Sequence, residues 1–188
     1  MFAVVDIETT GGAASSNGIT EIAIILHNGI NIEGKYVTLI NPQKPIQKYV
    51  QTLTGITDEM VANAPLFSSV AGNIYNLLHN KVFVAHNVNF DYSFVKFQLE
   101  QSGFILNTPK FCTLKHSRKI FPGLAKYGLE SLAQHFQIEN KSRHRAMGDA
   151  MTTVSLLQLL IAHEKNGELR KIIKKRANNL FTSEIPKK

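Results

Sequence analysis

The chain has 188 residues, 44% of them hydrophobic, which fits one globular domain with a real core and does not make disorder the default; its formal net charge of +7 is compatible with a polyanionic partner. A single cysteine, Cys112, excludes an intrachain disulfide, and no apolar run reaches the roughly 18 residues of a membrane span. A soluble, cytoplasmic protein with no membrane association is therefore expected, and an acid at position 6 with no basic segment ahead of it argues against a signal peptide.

Residues 2–7 read as a buried strand. Residues 18–29 alternate well enough for a second strand and end in Asn28-Gly29, a hairpin turn signal. The segment "INIEGKYVTLINP" supplies a third strand, stopped by Pro42, so the chain opens with an antiparallel meander. A loop-like stretch containing "TLTGITDEM" follows. Helical spacing of Phe67, Val70, Ile74 and Leu77/Leu78 predicts a helix within 65–80, with Pro65 near its start. Residues 81–85 are a short buried strand. "HNVNFDYSFVKFQLEQSG" opens a helix closed by Gly103. Two shorter helices flank the Pro122-Gly123 break, and the segment from Arg145 is a long helix ending at Gly167. Residues 1–165 then form one domain and 166–188 a basic tail or linker. Strands first, then alternating helix and strand, predict a mixed α/β sheet with helices on its faces.

Several acids break these patterns. Asp6 and Glu8 stand two apart in the first strand, so they share a face with Val4. Two carboxylates at that spacing repel, and burial raises the cost. A basic partner, protonation of one acid or a divalent cation could compensate; alternatively the strand ends at Asp6 and the acids sit in solvent. In the last long helix, Ala146, Asp149, Thr153, Leu156 and Leu160 form one stripe. Asp149 projects from this mostly apolar face, where it needs a partner such as Lys141, Arg143 or Arg145 if its role is structural. His144, five residues earlier, would face roughly 140° away within one regular helix. It reaches the same point only from a loop ahead of the helix. Asp91 follows the strand "KVFVA" at a strand end, where sites form in α/β sheets. It could also merely complement a helix dipole, with Asn87 or Asn89 as the cap. The neighbouring His86 reads as structural.

In order, "DIETTGG", "HNVNFD" and "HRAMGD" resemble the motifs of the DnaQ-like, or DEDD, 3′→5′ exonucleases, a family that includes the proofreading epsilon subunit of bacterial DNA polymerase III. "LTGIT" and "YGLESLAQHFQI" extend the likeness. The resemblance implies a ribonuclease-H-like fold with a five-stranded mixed sheet flanked by helices. It implies that Asp6, Glu8, Asp91 and Asp149 bind two divalent cations, Mg²⁺ or Mn²⁺, and that His144, in the DEDDh position, is the general base. The expected reaction is cation-dependent hydrolysis of DNA from a free, preferably single-stranded 3′ end, releasing nucleoside 5′-monophosphates in proofreading or repair. The backbone at Thr9, Thr10 and Gly11 would hold the terminal nucleotide, and Leu53, Thr54, Ile56 and Phe90 would line its base pocket; core packing is the competing reading of those four. Cys112 stands where members often have an Asp, and Thr54 where the epsilon subunit has a His. The motifs do not separate DNA from RNA trimming. A silent domain that binds polymerase or nucleic acid is the non-enzymatic alternative, which five filled catalytic positions disfavour. A DNA polymerase or a fused C-terminal GIY-YIG nuclease domain is the kind of protein partner that the family suggests.

Overall fold

The computed structural model describes residues 1–140, 142–165 and 167; apart from Gly167, the tail expected at 166–188 lies outside the described residues. The elements in chain order are β1 (Phe2–Thr9), β2 (Ile19–His27), β3 (Ile32–Leu39), α1 (Lys48–Thr54), α2 (Asp58–Ala62), α3 (Phe67–Leu78), β4 (Val82–Ala85), α4 (Val88–Gln101), β5 (Lys110–Cys112), α5 (Thr113–Ile120), α6 (Leu129–His135) and α7 (Ala146–His163). The five strands form one mixed sheet in the order β3-β2-β1-β4-β5. β1, β2 and β3 are the antiparallel meander, while β4 and β5 run parallel to β1. This is the helix-flanked sheet that the sequence predicts.

Alternation along β1 sorts the core into two layers. Ala3, Val5 and Ile7 join the cluster under α3 and α4. Phe2 and Val4 join the cluster under α7, with Leu132 of α6. Burial on both faces of the central strands explains their continuous apolar runs. α7 lies across β1 and β2, with Ala146, Thr153, Leu156 and Leu160 buried, as the stripe predicts.

The structure corrects three local readings and adds a strand. The stretch around "TLTGITDEM" is helical: α1 stops where Gly55 turns left-handed at φ 70°, and the Thr57 side chain caps α2. Helices of seven and five residues are too short for periodicity to declare itself. The first hairpin has a wider loop than a two-residue Asn-Gly turn. Its strands are paired as far as His27↔Ile32, and Asn28 Oδ1 accepts from the backbone N–H groups of Ile30 and Asn31 at 2.8 Å each. α7 ends at His163, ahead of Gly167. The edge strand β5 was not legible, because three residues carry no pattern. Among the described residues, no helix is long and apolar enough to cross a membrane.

Candidate active site

β1 continues to Thr9, so Asp6 and Glu8 lie within a strand. They share the face of Val4, which packs under α7. β2 adds a third acid that sequence reasoning missed. Glu21 is the register partner of Glu8 and is only 4% exposed. Like charges directly opposite each other on paired strands are destabilising, and here a cation compensates. Arg145 grips Glu21 in a fork, with Nη2 to Oε1 at 2.6 Å and Nε to Oε2 at 3.1 Å. The Ala146 backbone N–H also donates to Glu21 Oε2, at 2.8 Å. Arg145 occupies the N-cap of α7 without a side-chain cap bond, so a strand carboxylate caps the helix instead. That contact fixes the start of α7 against the sheet.

Asp149 sits in the first turn of this anchored helix. The basic partners considered for it are otherwise engaged: Arg145 with Glu21, and Arg143 with Glu130; Lys141 lies outside the described residues. Its carboxylate accepts from the Asn140 amide at 2.7 Å and from the His144 backbone N–H at 3.2 Å. His144 stands in the loop ahead of α7, in the left-handed conformation at φ 56°. That is the placement its spacing from Asp149 requires. The loop lies so close to the helix that a Cβ on Gly148 would sit 2.0 Å from the Ser142 carbonyl oxygen. Only glycine permits the approach. His144, Arg143, Asn140 and Asp149 line an open cavity of about 690 Å³ that also carries Glu130 and Glu139.

One carboxylate oxygen each of Asp6, Glu8 and Asp149 all lie within 4.8 Å of one another. Asp91 comes from α4, on the other side of the sheet, and is 4% exposed. Its charge bears on Asp6. Burial is the first cause that pushes all three protons on: Asp6 is raised well above the ordinary aspartate range, then further by Asp91, Asp149, Glu8 and Glu21. Glu8 is raised to about 7, by burial and then by Asp149 and Glu21, against a lowering effect of Arg145. Asp91 is raised to about 8 by burial, with Glu8 adding to it. Hydrogen bonds from the backbone N–H groups of Asp91 and Ile7 oppose the shift. The carboxylates are therefore short of positive charge, and their oxygen-only donor set suits a hard divalent cation.

The remaining site candidates divide. The Thr9 hydroxyl donates to the Gly11 carbonyl at 2.8 Å, and the Thr10 hydroxyl accepts from the Gly18 N–H at 3.1 Å. Both threonines are buried, and a Cβ on Gly11 would meet Asn17 Oδ1 at 2.4 Å. The side chains shape this loop. Leu53 is exposed, and Phe90 is part-buried against Phe94. Ile56 is enclosed in a small cluster with Ile46, Val50 and Val61, and the buried Thr54 hydroxyl bonds within the chain to Val50 and Ile56. His86 has both ring nitrogens engaged, with the Thr113 hydroxyl at 3.0 Å and the Tyr127 carbonyl at 2.9 Å, in keeping with a structural tether. Cys112 is a free, half-buried thiol packed against the core.

Comparison with known proteins agrees with this geometry. A family model described as "Exonuclease" (RNase_T) matches residues 3–157. The 3′-5′ exonuclease DinG of Bacillus subtilis (strain 168) is 38% identical over 155 residues, which is 81% of this chain but 16% of that protein. The DNA polymerase III subunit epsilon of Aquifex aeolicus (strain VF5) is 33% identical over 156 residues, covering 82% of this chain and 77% of the subunit. A solved structure of Exonuclease X in complex with 5′ overhanging duplex DNA superposes with a TM-score of 0.72 at 27% identity, covering 86% of this chain and 92% of the other. The match runs from β1 into α7 and so takes in every element that carries one of the clustered acids: this chain belongs to the exonuclease family.

Proposed function

We propose that this chain removes nucleotides from a free 3′ end, with single-stranded DNA as its substrate and nucleoside 5′-monophosphates as products. The observation that carries the reading is the convergence of Asp6, Glu8 and Asp149 within 4.8 Å, which brings an acid of the first turn of α7 onto the acid pair of β1. Asp91 completes the set, and the four would hold two divalent cations, Mg²⁺ or Mn²⁺. When bound, such cations polarise a phosphodiester, make water a better nucleophile and neutralise the leaving 3′ oxygen. His144 takes the proton of the attacking water. Its loop is held to α7 through Asp149, Asn140 and the Gly148 contact. Leu53 and Phe90 offer apolar surface to an unpaired terminal base, and the Thr9–Gly11 backbone seats the sugar. Enclosed as they are, Thr54 and Ile56 act by shaping that wall.

The relatives support DNA as the polymer. DinG is named a 3′-5′ exonuclease, the epsilon subunit is part of a DNA polymerase, and Exonuclease X was solved with DNA. The likeness to the epsilon subunit supports a polymerase as the protein partner, and the small share of DinG that this chain covers supports a covalently joined enzyme. The test is incubation of 3′-labelled single-stranded DNA and RNA with Mg²⁺, Mn²⁺ or EDTA. Cation-dependent loss of the DNA label, faster than that of the RNA label, is expected. Faster RNA trimming would transfer the assignment to an exoribonuclease, and no release from either would leave a binding domain.

A further inference from the structure

Beyond the C-terminal ends of β4 and β5 lies a second open groove, of about 1010 Å³. Its lining includes Lys110, Lys115, Arg118 and Lys119, with Asn87 and Asn89 at the start of α4, and no acid. The cavity beside His144 is the opposite, lined by Glu130, Glu139 and Asp149 against a single Arg143. The cavity beside His144 meets the carboxylate cluster directly, at Asp149. The basic groove reaches it through α4, whose first turn carries Asn89 and Asp91. β5 is two strands from β1, which sets the two strands about 10 Å apart across the sheet at the usual strand spacing. That distance is roughly three stacked nucleotides at about 3.4 Å each.

We propose that this groove binds the phosphate backbone of the single strand just upstream of the 3′ terminus. The proposal rests on the exonuclease reading above. Of these two openings, the charges favour the basic groove for a polyanion whose end is held at the acids. The platform is also anchored. His86 ties the end of β4 to Thr113, the first residue of α5, and to Tyr127. Lys110 is steadied by the Asn89 amide oxygen at 3.0 Å and lies over the Tyr92 ring. Arg118 lies over Tyr127. These contacts leave the cationic groups on the surface, since Lys110, Lys115 and Arg118 are exposed. Such a groove reads backbone charge and no base identity, so the preference it confers is for strand length and low salt.

The test pairs Lys110→Gln with Lys115→Gln in the full chain. The control pair, Lys35→Gln with Lys81→Gln, removes the same charge from the far edge strand and from the opposite end of β4. Binding of a long fluorescent single strand is followed by anisotropy without divalent cation, and turnover is measured with Mg²⁺ on that strand and on a dinucleotide. In the groove pair, the slope of log Kd against log salt should flatten by about 1.4, at 0.7 for each lost phosphate contact. Long-strand KM should rise several-fold, and dinucleotide hydrolysis should match the parent. An unchanged salt slope, or an equal loss in the control pair, would overturn the groove. Absence of turnover in every protein, with the groove pair still weakening binding, would instead overturn the exonuclease reading and leave the groove standing.

Discussion

Raising the pH of the cation-free protein should weaken its fold, and a divalent cation should restore it. Glu8 is the cleanest case. Its carboxyl ionises near 4.5 in an ordinary setting and at about 7 in the fold, through burial first and then Asp149 and Glu21. Between those values the folded chain holds a proton that the unfolded chain has released. The associated stability is present in full below about pH 4.5 and is lost as the pH rises through 7. The separation is about 2.5 pH units, and at about 1.36 kcal/mol each the loss is on the order of 3 kcal/mol. For a chain of this size that is about 6–12 °C in Tm. Asp6 and Asp91 are shifted in the same direction and add to it. Thermal melts in EDTA from pH 5 to 8 measure the effect. Tm should fall across that range, Mg²⁺ should reverse the fall, and Glu8→Gln should shrink it. A Tm that holds or rises with pH in EDTA would refute the electrostatic reasoning, and so would a Glu8→Gln variant that keeps the whole fall.

Asp6→Asn should abolish turnover yet melt at or above the parent in EDTA, because it relieves repulsion among the clustered acids; a marked drop in metal-free Tm would make Asp6 a structural acid. His144→Ala should lower turnover by about 10²–10⁴-fold with little change in Mn²⁺ affinity, while His86→Ala costs far less; the reverse order in the kinetic assay would displace His144 as the base. Arg145→Met should cost about 3 kcal/mol in urea unfolding, since it strands Glu21 opposite Glu8. This is the low end for a broken buried pair, because 38% of the Arg145 side chain faces solvent. A neutral Arg145→Met would mean that the start of α7 is held by other contacts.

What the sequence could disclose follows from period and spacing. The core strands and α3, α4 and α7 carry sustained patterns, and Asp6 with Glu8 stand out because they violate one. His144 was legible as a site candidate only through the family resemblance; its angle to Asp149 inside a helix showed merely that, to meet Asp149, it must stand in the preceding loop. Glu21 was not legible. It follows the apolar alternation of "GITEIAIILH" at an unremarkable polar position, and only the β1–β2 register brings it opposite Glu8. Asn140 was hidden similarly, since its bond to Asp149 depends on a loop folding back over Gly148. α1, α2 and β5 are stabilised by tertiary packing and caps, and are too short to show a period of their own.

The role of the four acids in holding cations that drive hydrolysis at a free 3′ end is measured by following release of a labelled 3′-terminal nucleotide from single-stranded DNA, with the parent and the Asp149→Asn variant side by side. The parent should yield nucleoside 5′-monophosphate in Mg²⁺. EDTA, a strand blocked by a 3′-phosphate, and Asp149→Asn should each yield none. Undiminished release in EDTA, or from Asp149→Asn, would contradict that role.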